Sequence, residues 1–356
     1  MLPRVKLDLS LSAAELTACL VDIESVSGNE QQLADLIASA LAELPHLSLH
    51  RDGNALVART ALGRPERVAI AGHIDTVPVA DNLPSRRDGR ELWGLGSCDM
   101  KSGVAVQLKL AASLPDPARD ITFVFYDCEE VEAERNGLLR LARNSPELLQ
   151  ADFAVLMEPT DGVVEGGCQG SMKVEVRTAG QRAHSARSWM GRNAIHEAAA
   201  ILNVLRRYEA RQPVVDGLTF HEGLNAVGIS GGVAGNVIPD ECVVTVNYRF
   251  APDRDTAQAQ AFLEEVFADW DVRVTDVSPG ARPGLDRPAA ASFASAMGGT
   301  PRAKYGWTDV ARFDMLGIPA VNYGPGDPML AHSRQEHVDL AQIGQVEDRM
   351  RAWLTA

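Results

Sequence analysis

Residues 121–130 read ITFVFYDCEE, an apolar run that ends in an acidic tip. The run from Ile121 to Tyr126 is rich in β-branched and aromatic side chains, which predicts a buried strand. Glu129 and Glu130 follow it, and adjacent side chains at a strand end point in different directions. One carboxylate can therefore hold a metal ion while the other acts as a general base. Taken alone, the tip also fits a solvated acidic turn.

Two further apolar strands end in potential ligands. One runs from Val68 to Ala71 and stops at His73, and the other runs from Phe153 to Met157 and stops at Glu158. Helical patterns separate these strands, and such alternation is typical of an α/β fold in which ligands gather beyond the carboxyl ends of the strands. We therefore expect a mixed sheet flanked by helices.

The segments before these strands predict two helices and a hairpin. Ser12 to Glu15 and Ser27 to Glu30 both have the S-x-x-E spacing of a capping box, and apolar residues at helical intervals follow each of them. Asp52-Gly53-Asn54 predicts a turn between two strands.

Beyond Gly166-Gly167 the order of elements becomes β-α-β-β-α-β, which indicates a ferredoxin-like α+β layer. The sequence therefore predicts a catalytic domain formed by residues 1–170 and 285–356, with an inserted domain at 171–284.

Composition excludes several classes of protein. The 356 residues are 46% hydrophobic and carry a formal net charge of -14, which is ordinary for a globular chain and argues against nucleic-acid or anionic-membrane partners. The five cysteines are scattered without CxxC spacing, so no disulfide framework or zinc knuckle is indicated. No apolar run has the length of a signal peptide or membrane span, and we expect a cytoplasmic protein.

The candidate metal ligands offer nitrogen and oxygen atoms only, which suits catalytic zinc, cobalt or manganese; they are His73, Asp99, Glu130, Glu158 and His332. A carboxylate such as Asp99 can bridge two ions, and Asp75 is spaced to orient the His73 imidazole. Nearby residues that could be mistaken for ligands are His337, Cys98 and Cys128.

The chain resembles the M20 metallopeptidase and amidohydrolase family. Gly72 to Pro78 and Gly96 to Gly103 look like its two metal motifs, and Met157 to Thr160, Gly324 to Gly326 and Ala331-His332 complete the set in family order. The match departs at Gly94-Leu95-Gly96, where many relatives have Gly-Arg-Gly.

The resemblance implies a zinc-exopeptidase-like catalytic domain with two divalent metal ions, zinc first and cobalt or manganese as alternatives. His73 and Glu158 would hold one ion and Glu130 and His332 the other. Asp99 would bridge the two ions, and Glu129 would be the general base.

The inserted domain matches the family as well. The segment Arg182 to Ala186 resembles the one whose histidine reaches the active site of the partner subunit, so the resemblance implies a homodimer with His184 supplied across the interface. It also implies substrate contacts from Asn236, Arg249 and Gly326, with Arg249 suited to a bidentate clamp on a carboxylate. The alternative for His184 is a helix-entry or surface histidine, and the alternative for Arg249 is a surface ion pair.

Three segments look most like the family members that hydrolyse N-succinyl-L,L-2,6-diaminopimelate: residues 79–84, 126–132 and 298–309. The resemblance thus implies release of succinate and L,L-2,6-diaminopimelate for lysine biosynthesis. The alternatives keep the chemistry and change the small N-acyl amino-acid substrate, as in acetylornithine deacetylase, aminoacylase or metallodipeptidase. A metal-dependent binding protein without turnover is a further alternative, against which the unligated carboxylate of Glu129 argues.

Overall fold

A computed structural model describes residues 6–356, which divide into two compact units. Unit 1 takes in the chain up to Gly167 with Pro283–Arg302 and Asp309–Ala356. Unit 2 comprises Cys168–Arg282 and Ala303–Thr308.

The strands are β1 (Ser48–Asp52), β2 (Ala55–Arg59), β3 (Arg67–His73), β4 (Arg86–Asp88), β5 (Glu91–Trp93), β6 (Asp120–Tyr126), β7 (Phe153–Leu156), β8 (Glu165–Gly166), β9 (Gly170–Ala179), β10 (Ala183–His184), β11 (Val214–Val215), β12 (Leu218–Thr219), β13 (Gly223–Gly231), β14 (Val237–Ile238), β15 (Glu241–Phe250), β16 (Asp271–Ser278), β17 (Arg302–Ala303), β18 (Ala320–Asn322) and β19 (His337–Asp339). The α-helices are α1 (Ala13–Val21), α2 (Gln31–Leu41), α3 (Lys101–Ser113), α4 (Gly137–Asn144), α5 (Pro146–Leu149), α6 (Ala194–Arg207), α7 (Thr256–Val266), α8 (Pro288–Met297), α9 (Val310–Met315) and α10 (Leu340–Thr355).

Unit 1 is built on a mixed sheet in the order β1-β2-β6-β3-β7-β18-β8-β17, where β17 lies at the passage from unit 1 to unit 2. β6, β3, β7 and β18 are parallel, whereas β1, β2 and β8 pair antiparallel. All seven residues of β6 are buried, as its apolar sequence predicts. The predicted mixed sheet with flanking helices is confirmed.

The two capping predictions had different outcomes. Ser12 caps α1 in a full capping box with Glu15, as predicted. Ser27 does not cap α2, whose N-cap is Glu30 without a side-chain cap bond. The Ser27 hydroxyl instead donates to the Asp75 carboxylate at 2.7 Å, so the second capping prediction is wrong. The predicted hairpin around Gly53 is confirmed by the pairing of β1 with β2.

Unit 2 contains an antiparallel sheet in the order β13-β15-β9-β16, and α6 and α7 share its apolar core. With the chain order β-α-β-β-α-β, this strand order is the ferredoxin-like one, and the predicted fold of the insert is confirmed. The small hairpin of β11 and β12 was not predicted.

Unit 1 also contains a small sheet that the sequence did not predict, in which β5 pairs with β4 and β19. Across residues 6–356, no helix combines the length and the apolar character that a membrane crossing requires. The cytoplasmic location stays a prediction.

Candidate metal centre

Strand register brings the first ligand beside the acidic tip. His73, the last residue of β3, lies opposite Tyr126, the last residue of β6, so the residues after both strands emerge at one edge of the sheet. Gly72 permits close packing of α3 here, because a Cβ on it would lie 2.7 Å from Oε1 of Gln107. The apolar patterns of the two strands therefore position His73 next to Glu129 and Glu130.

Four of the predicted ligands form a chain of short contacts. Nε2 of His73 lies 3.1 Å from Oδ1 of Asp99, and Nε2 of His332 lies 3.4 Å from Oδ2 of the same carboxylate. His332 also contacts Oε1 of Glu130 at 2.8 Å. Both oxygens of Asp99 thus face an imidazole.

The five predicted ligands form two triads that share Asp99. His73, Asp99 and Glu158 offer donor atoms within 4.8 Å of one another, and so do Asp99, Glu130 and His332. This is the spacing from which two neighbouring ions could be held with one bridging carboxylate. The structure therefore brings all five residues together within unit 1.

Asp75 fixes the backbone that carries Glu129 and Glu130. Its Oδ1 accepts the amide N–H of Glu129 at 3.0 Å, and its Oδ2 accepts that of Glu130 at 3.1 Å. Nδ1 of His73 lies 3.1 Å from the backbone oxygen of Asp75 and 3.5 Å from its Oδ1. Asp75 therefore faces the nitrogen of His73 that points away from Asp99 and also anchors the acidic tip.

The electrostatics of the site reflect an excess of carboxylates. Burial, reinforced by neighbouring carboxylates, raises the pKa of Glu129 well above its ordinary range, although His73 opposes the shift. Hydrogen bonds to Asp99 and Glu130 raise the pKa of His332 to about 10. Burial alone would lower the pKa of His73, but its bonds to Asp75 and Asp99 raise it well above the usual value.

This donor set fits divalent metal ions. The atoms are imidazole nitrogens and carboxylate oxygens, which suit zinc, cobalt and manganese. Buried carboxylates at this density require compensating positive charge. Divalent ions held by the two triads would supply that charge where the carboxylates converge.

Glu336 also belongs to the site, although its sequence pattern did not predict it. This residue is 2% exposed, and its carboxylate accepts the backbone N–H groups of Gly96, Cys98 and Asp99 at 3.0–3.1 Å. A carboxylate four positions after His332 was the one available signal, but its partners are backbone groups distant in sequence.

The residues that could be mistaken for ligands have other contacts. The His337 ring stacks on Trp93 with 4.3 Å between ring centroids. The Cys98 thiol donates to the backbone oxygen of Asp327 at 3.0 Å. Cys128 lies within ligand spacing of Glu30 and Asp127, but burial raises the pKa of its thiol to about 12, which keeps it protonated. The carboxylate of Asp127 is engaged by Arg140 at 2.9 Å.

Three predicted site residues lie in unit 2. His184 pairs with Val237 between β10 and β14, and the amide of Ser185 donates to the backbone oxygen of Asn236 at 2.9 Å, so His184 and Asn236 are neighbours. Arg249 is exposed on β15 and forms no ion pair within the described part of the chain. Its predicted role on a substrate carboxylate stays a prediction.

Gly326 lies in unit 1 with φ of 97°, a conformation that favours glycine. A Cβ there would lie 2.6 Å from the Cys98 sulfur. Its N–H donates to Oε1 of Gln342 at 2.6 Å, so a substrate contact through this N–H requires Gln342 to yield. Its role in substrate binding stays a prediction.

Comparison with known proteins places these motifs in context. The sequence model of peptidase family M20/M25/M40 matches residues 69–356. A candidate succinyl-diaminopimelate desuccinylase of Mycobacterium tuberculosis is 54% identical over 351 residues, which cover 98% of this chain and 99% of that protein. The succinyl-diaminopimelate desuccinylase of Corynebacterium glutamicum is 45% identical over 362 residues, with 98% of each chain covered.

A solved structure shows the same fold at low sequence identity. It is that of a dinuclear metal-binding peptidase of the M20 family from Bacillus subtilis, with a TM-score of 0.70 and 18% identity over 96% of each chain.

Proposed function

Because the chain belongs to peptidase family M20/M25/M40, we propose that it is a metal-dependent amidohydrolase that converts N-succinyl-L,L-2,6-diaminopimelate to succinate and L,L-2,6-diaminopimelate. The succinyl substrate is supported by the identity of 45–54% to two desuccinylases over nearly the whole chain. Within the site, the observation that carries the proposal is the sharing of Asp99 by two ligand triads, beside Glu129, whose carboxylate lies within 4.8 Å of ligand atoms of His73 and Glu130.

In this proposal, His73 and Glu158 hold one divalent ion, Glu130 and His332 hold the other, and Asp99 contributes to both. Zinc is the first candidate and cobalt or manganese are alternatives, because the donor atoms are nitrogen and oxygen only. When bound, such ions polarise the scissile carbonyl, lower the pKa of water and stabilise the charge that develops on oxygen.

Glu129 is suited to move the proton. Its buried position raises its pKa well above that of an ordinary glutamate, which brings its proton affinity closer to what a base at neutral pH needs. In the proposed reaction, Glu129 accepts a proton from the attacking water and returns it to the departing amine. Asp75 holds the amide N–H of Glu129 and so fixes the point from which that side chain reaches the substrate.

The substrate carries carboxylates at both ends, and an acidic chain needs local cations to receive them. Arg249 is exposed and has no ion-pair partner in the described residues, which leaves its planar guanidinium available for a bidentate contact. Arg182 is less available, because Asp240 engages it at 2.8 Å. Asn236 and Gly326 complete the proposed substrate contacts.

We further propose that unit 2 forms a homodimer and that His184 stabilises the oxyanion in the site of the partner subunit. β13 ends the four-stranded sheet, so one of its edges has no strand partner within residues 6–356. Val227 and Ile229 on this strand are 59% and 54% exposed, and Ile195 and Leu202 of the adjacent α6 are both 41% exposed. An apolar strand edge of this kind is a template for pairing with another chain.

The experiment that tests the function measures free amine released from N-succinyl-L,L-2,6-diaminopimelate by metal-stripped protein, before and after zinc is restored. N-acetylornithine, an N-acyl amino acid and a dipeptide are assayed alongside. Zinc-dependent release confined to the succinyl compound is the expected result. Zinc-dependent cleavage of another amide alone would support the metal site but overturn the assignment of the succinyl substrate. Zinc binding without any cleavage would overturn the catalytic function.

A further inference from the structure

Glu336 joins two loops of the candidate metal centre. Its Oε1 accepts the amide N–H groups of Cys98 and Asp99, each at 3.0 Å, and its Oε2 accepts that of Gly96 at 3.1 Å. Its own backbone oxygen accepts the N–H of Gly94 at 3.1 Å. Three amides of one turn therefore donate to one carboxylate, as in a backbone nest that holds an anion, and a fourth donates to the backbone oxygen of the same residue.

The turn leads directly to the shared ligand. Asp99 is at its end, and one of the three N–H groups that Glu336 receives is the amide of Asp99 itself. Glu336 is also close to His332, the last candidate ligand in the chain, which it follows by four residues. The backbone N–H of Glu336 donates to the backbone oxygen of Ser333 at 3.2 Å. Glu336 thus connects the backbone of Asp99 to the loop that carries His332.

We propose that Glu336 is a positioning residue that sets the spacing of Asp99 and His332 and thereby the affinity for the ion that these two share with Glu130. The proposal rests on the proposed function, because it assigns that ion to the triad. Glu336 does not touch substrate or ion in this role; it acts through the two loops.

A carboxylate is required here because both oxygens accept N–H groups. A glutamine can keep Oε1 toward Cys98 and Asp99, but its NH2 group then faces the N–H of Gly96, and two donors cannot bond to each other. Glu336→Gln therefore removes one bond, introduces a donor–donor contact and preserves the size of the side chain.

Unit 1 offers a matched control that distinguishes positioning from general stability. Asp120 is also buried, at 3% exposed, and accepts the backbone N–H groups of Leu62 and Arg64, both at 2.9 Å, and the Thr60 hydroxyl at 2.7 Å. No metal-ligand candidate is among its hydrogen-bond partners. Asp120→Asn is therefore expected to disturb a comparable network without an effect on ion binding.

The test titrates metal-stripped full-length protein with Co²⁺, followed by its absorption bands and by competition with a chelator, in the native chain, Glu336→Gln and Asp120→Asn. The free energy of unfolding in urea is measured for each. We expect the native chain and Asp120→Asn to bind two ions alike, and Glu336→Gln to bind one of them about 10–100-fold more weakly. Weaker binding of one ion in Glu336→Gln alone identifies a positioning effect. A purely structural role would lower the stability of both variants without a difference in ion affinity between them.

Two results would overturn the proposal. One is an affinity for both ions in Glu336→Gln that matches the native chain while its stability falls as in Asp120→Asn. The other is a native chain that binds no second ion, in which case the dinuclear function fails together with the role of Glu336. If the native chain binds two ions but releases no amine in the separate turnover assay, the proposed substrate chemistry is overturned and the role of Glu336 is not. The two outcomes can be distinguished because the ion titration does not depend on turnover.

Discussion

The carboxylate of Asp75 accepts the backbone N–H of Glu129 at 3.0 Å, so the residue two positions after a metal-ligand candidate also holds the candidate base. Asp75→Asn would present an NH2 group to either this N–H or that of Glu130, and the tip would shift. We expect kcat to fall by about 10–100-fold, the usual effect of removing such a supporting contact. Steady-state kinetics with the succinyl substrate measure it.

Ser27→Ala is the control for this change, because it removes only one hydrogen bond to Asp75 and leaves both amide contacts in place. A loss in Ser27→Ala as large as that in Asp75→Asn would contradict the role given to the amide contacts.

Glu129 and Glu130 are adjacent, yet their substitution should have different effects. Glu129→Gln removes the proposed base, and we expect kcat to fall by about 10²–10⁴-fold with the bound metal content unchanged. Glu130→Gln removes a ligand that contacts His332 at 2.8 Å, and we expect it to lose metal. Elemental analysis of dialysed protein and turnover assays measure the two effects. Substantial activity in Glu129→Gln would show that another group is the base.

Ion binding should release protons. The bonds of His332 to Asp99 and Glu130 raise its pKa to about 10, so this imidazole is protonated at neutral pH until an ion displaces the proton. Because protons compete with the ion below that pKa, the apparent affinity should rise with pH, by up to about tenfold per pH unit for each proton released. Calorimetric titration in two buffers of different ionisation enthalpy counts the protons. Equal heats in both buffers would contradict the prediction.

Asp120 provides a prediction about acid stability. Burial alone would raise its pKa, but the N–H groups of Leu62 and Arg64 and the hydroxyl of Thr60 lower it below the ordinary value. A carboxylate whose folded-state pKa is lowered adds stability above its unfolded pKa of about 3.9, and this stability is lost as the pH falls through the folded-state pKa. Asp120→Asn should therefore reduce the free energy of unfolding at pH 7 by about 1–3 kcal/mol and have a smaller effect near pH 3.

Urea unfolding followed by circular dichroism at several pH values measures this difference. A difference between Asp120→Asn and the native chain that does not depend on pH would show that the ionised form of Asp120 is not what stabilises the sheet.

Much of the fold could be predicted because its signals are local. The buried run from Ile121 to Tyr126 forms a central strand, and the capping box at Ser12 starts a helix, because strand burial and helix capping depend on residues within a few positions. The candidate ligands could be found for the same reason, since each follows an apolar strand or adjoins a turn.

The contacts that could not be predicted join residues far apart in the chain. Ser27 has the local pattern of a helix cap, but its hydroxyl bonds to Asp75, 48 positions away. Glu336 bonds to the amide of Asp99, 237 positions away, and backbone N–H groups leave no trace in side-chain identity. β5 and β19 pair over a comparable separation and are each three residues long, too short to show a period.

The dimer proposal makes a prediction that a mixture of two inactive variants can test. If His184 acts in the partner's site, a mixed dimer of Glu129→Gln and His184→Ala contains one site with both native groups and one site with neither. Random reassortment then restores about a quarter of native activity, because half of the dimers are mixed and each has one working site of two. If His184 acts within its own subunit, every site in the mixture lacks one group and no activity returns.

The measurement unfolds the two variants together in denaturant, refolds them with zinc, and assays the succinyl amide against each variant treated alone. A tagged copy of one variant confirms by pull-down that mixed dimers have formed. Activity that returns only in the co-refolded sample would establish that His184 acts in the active site of the partner subunit. Mixed dimers without activity would place His184 in its own subunit's site. A native protein that sediments as a monomer in analytical ultracentrifugation would overturn the dimer proposal.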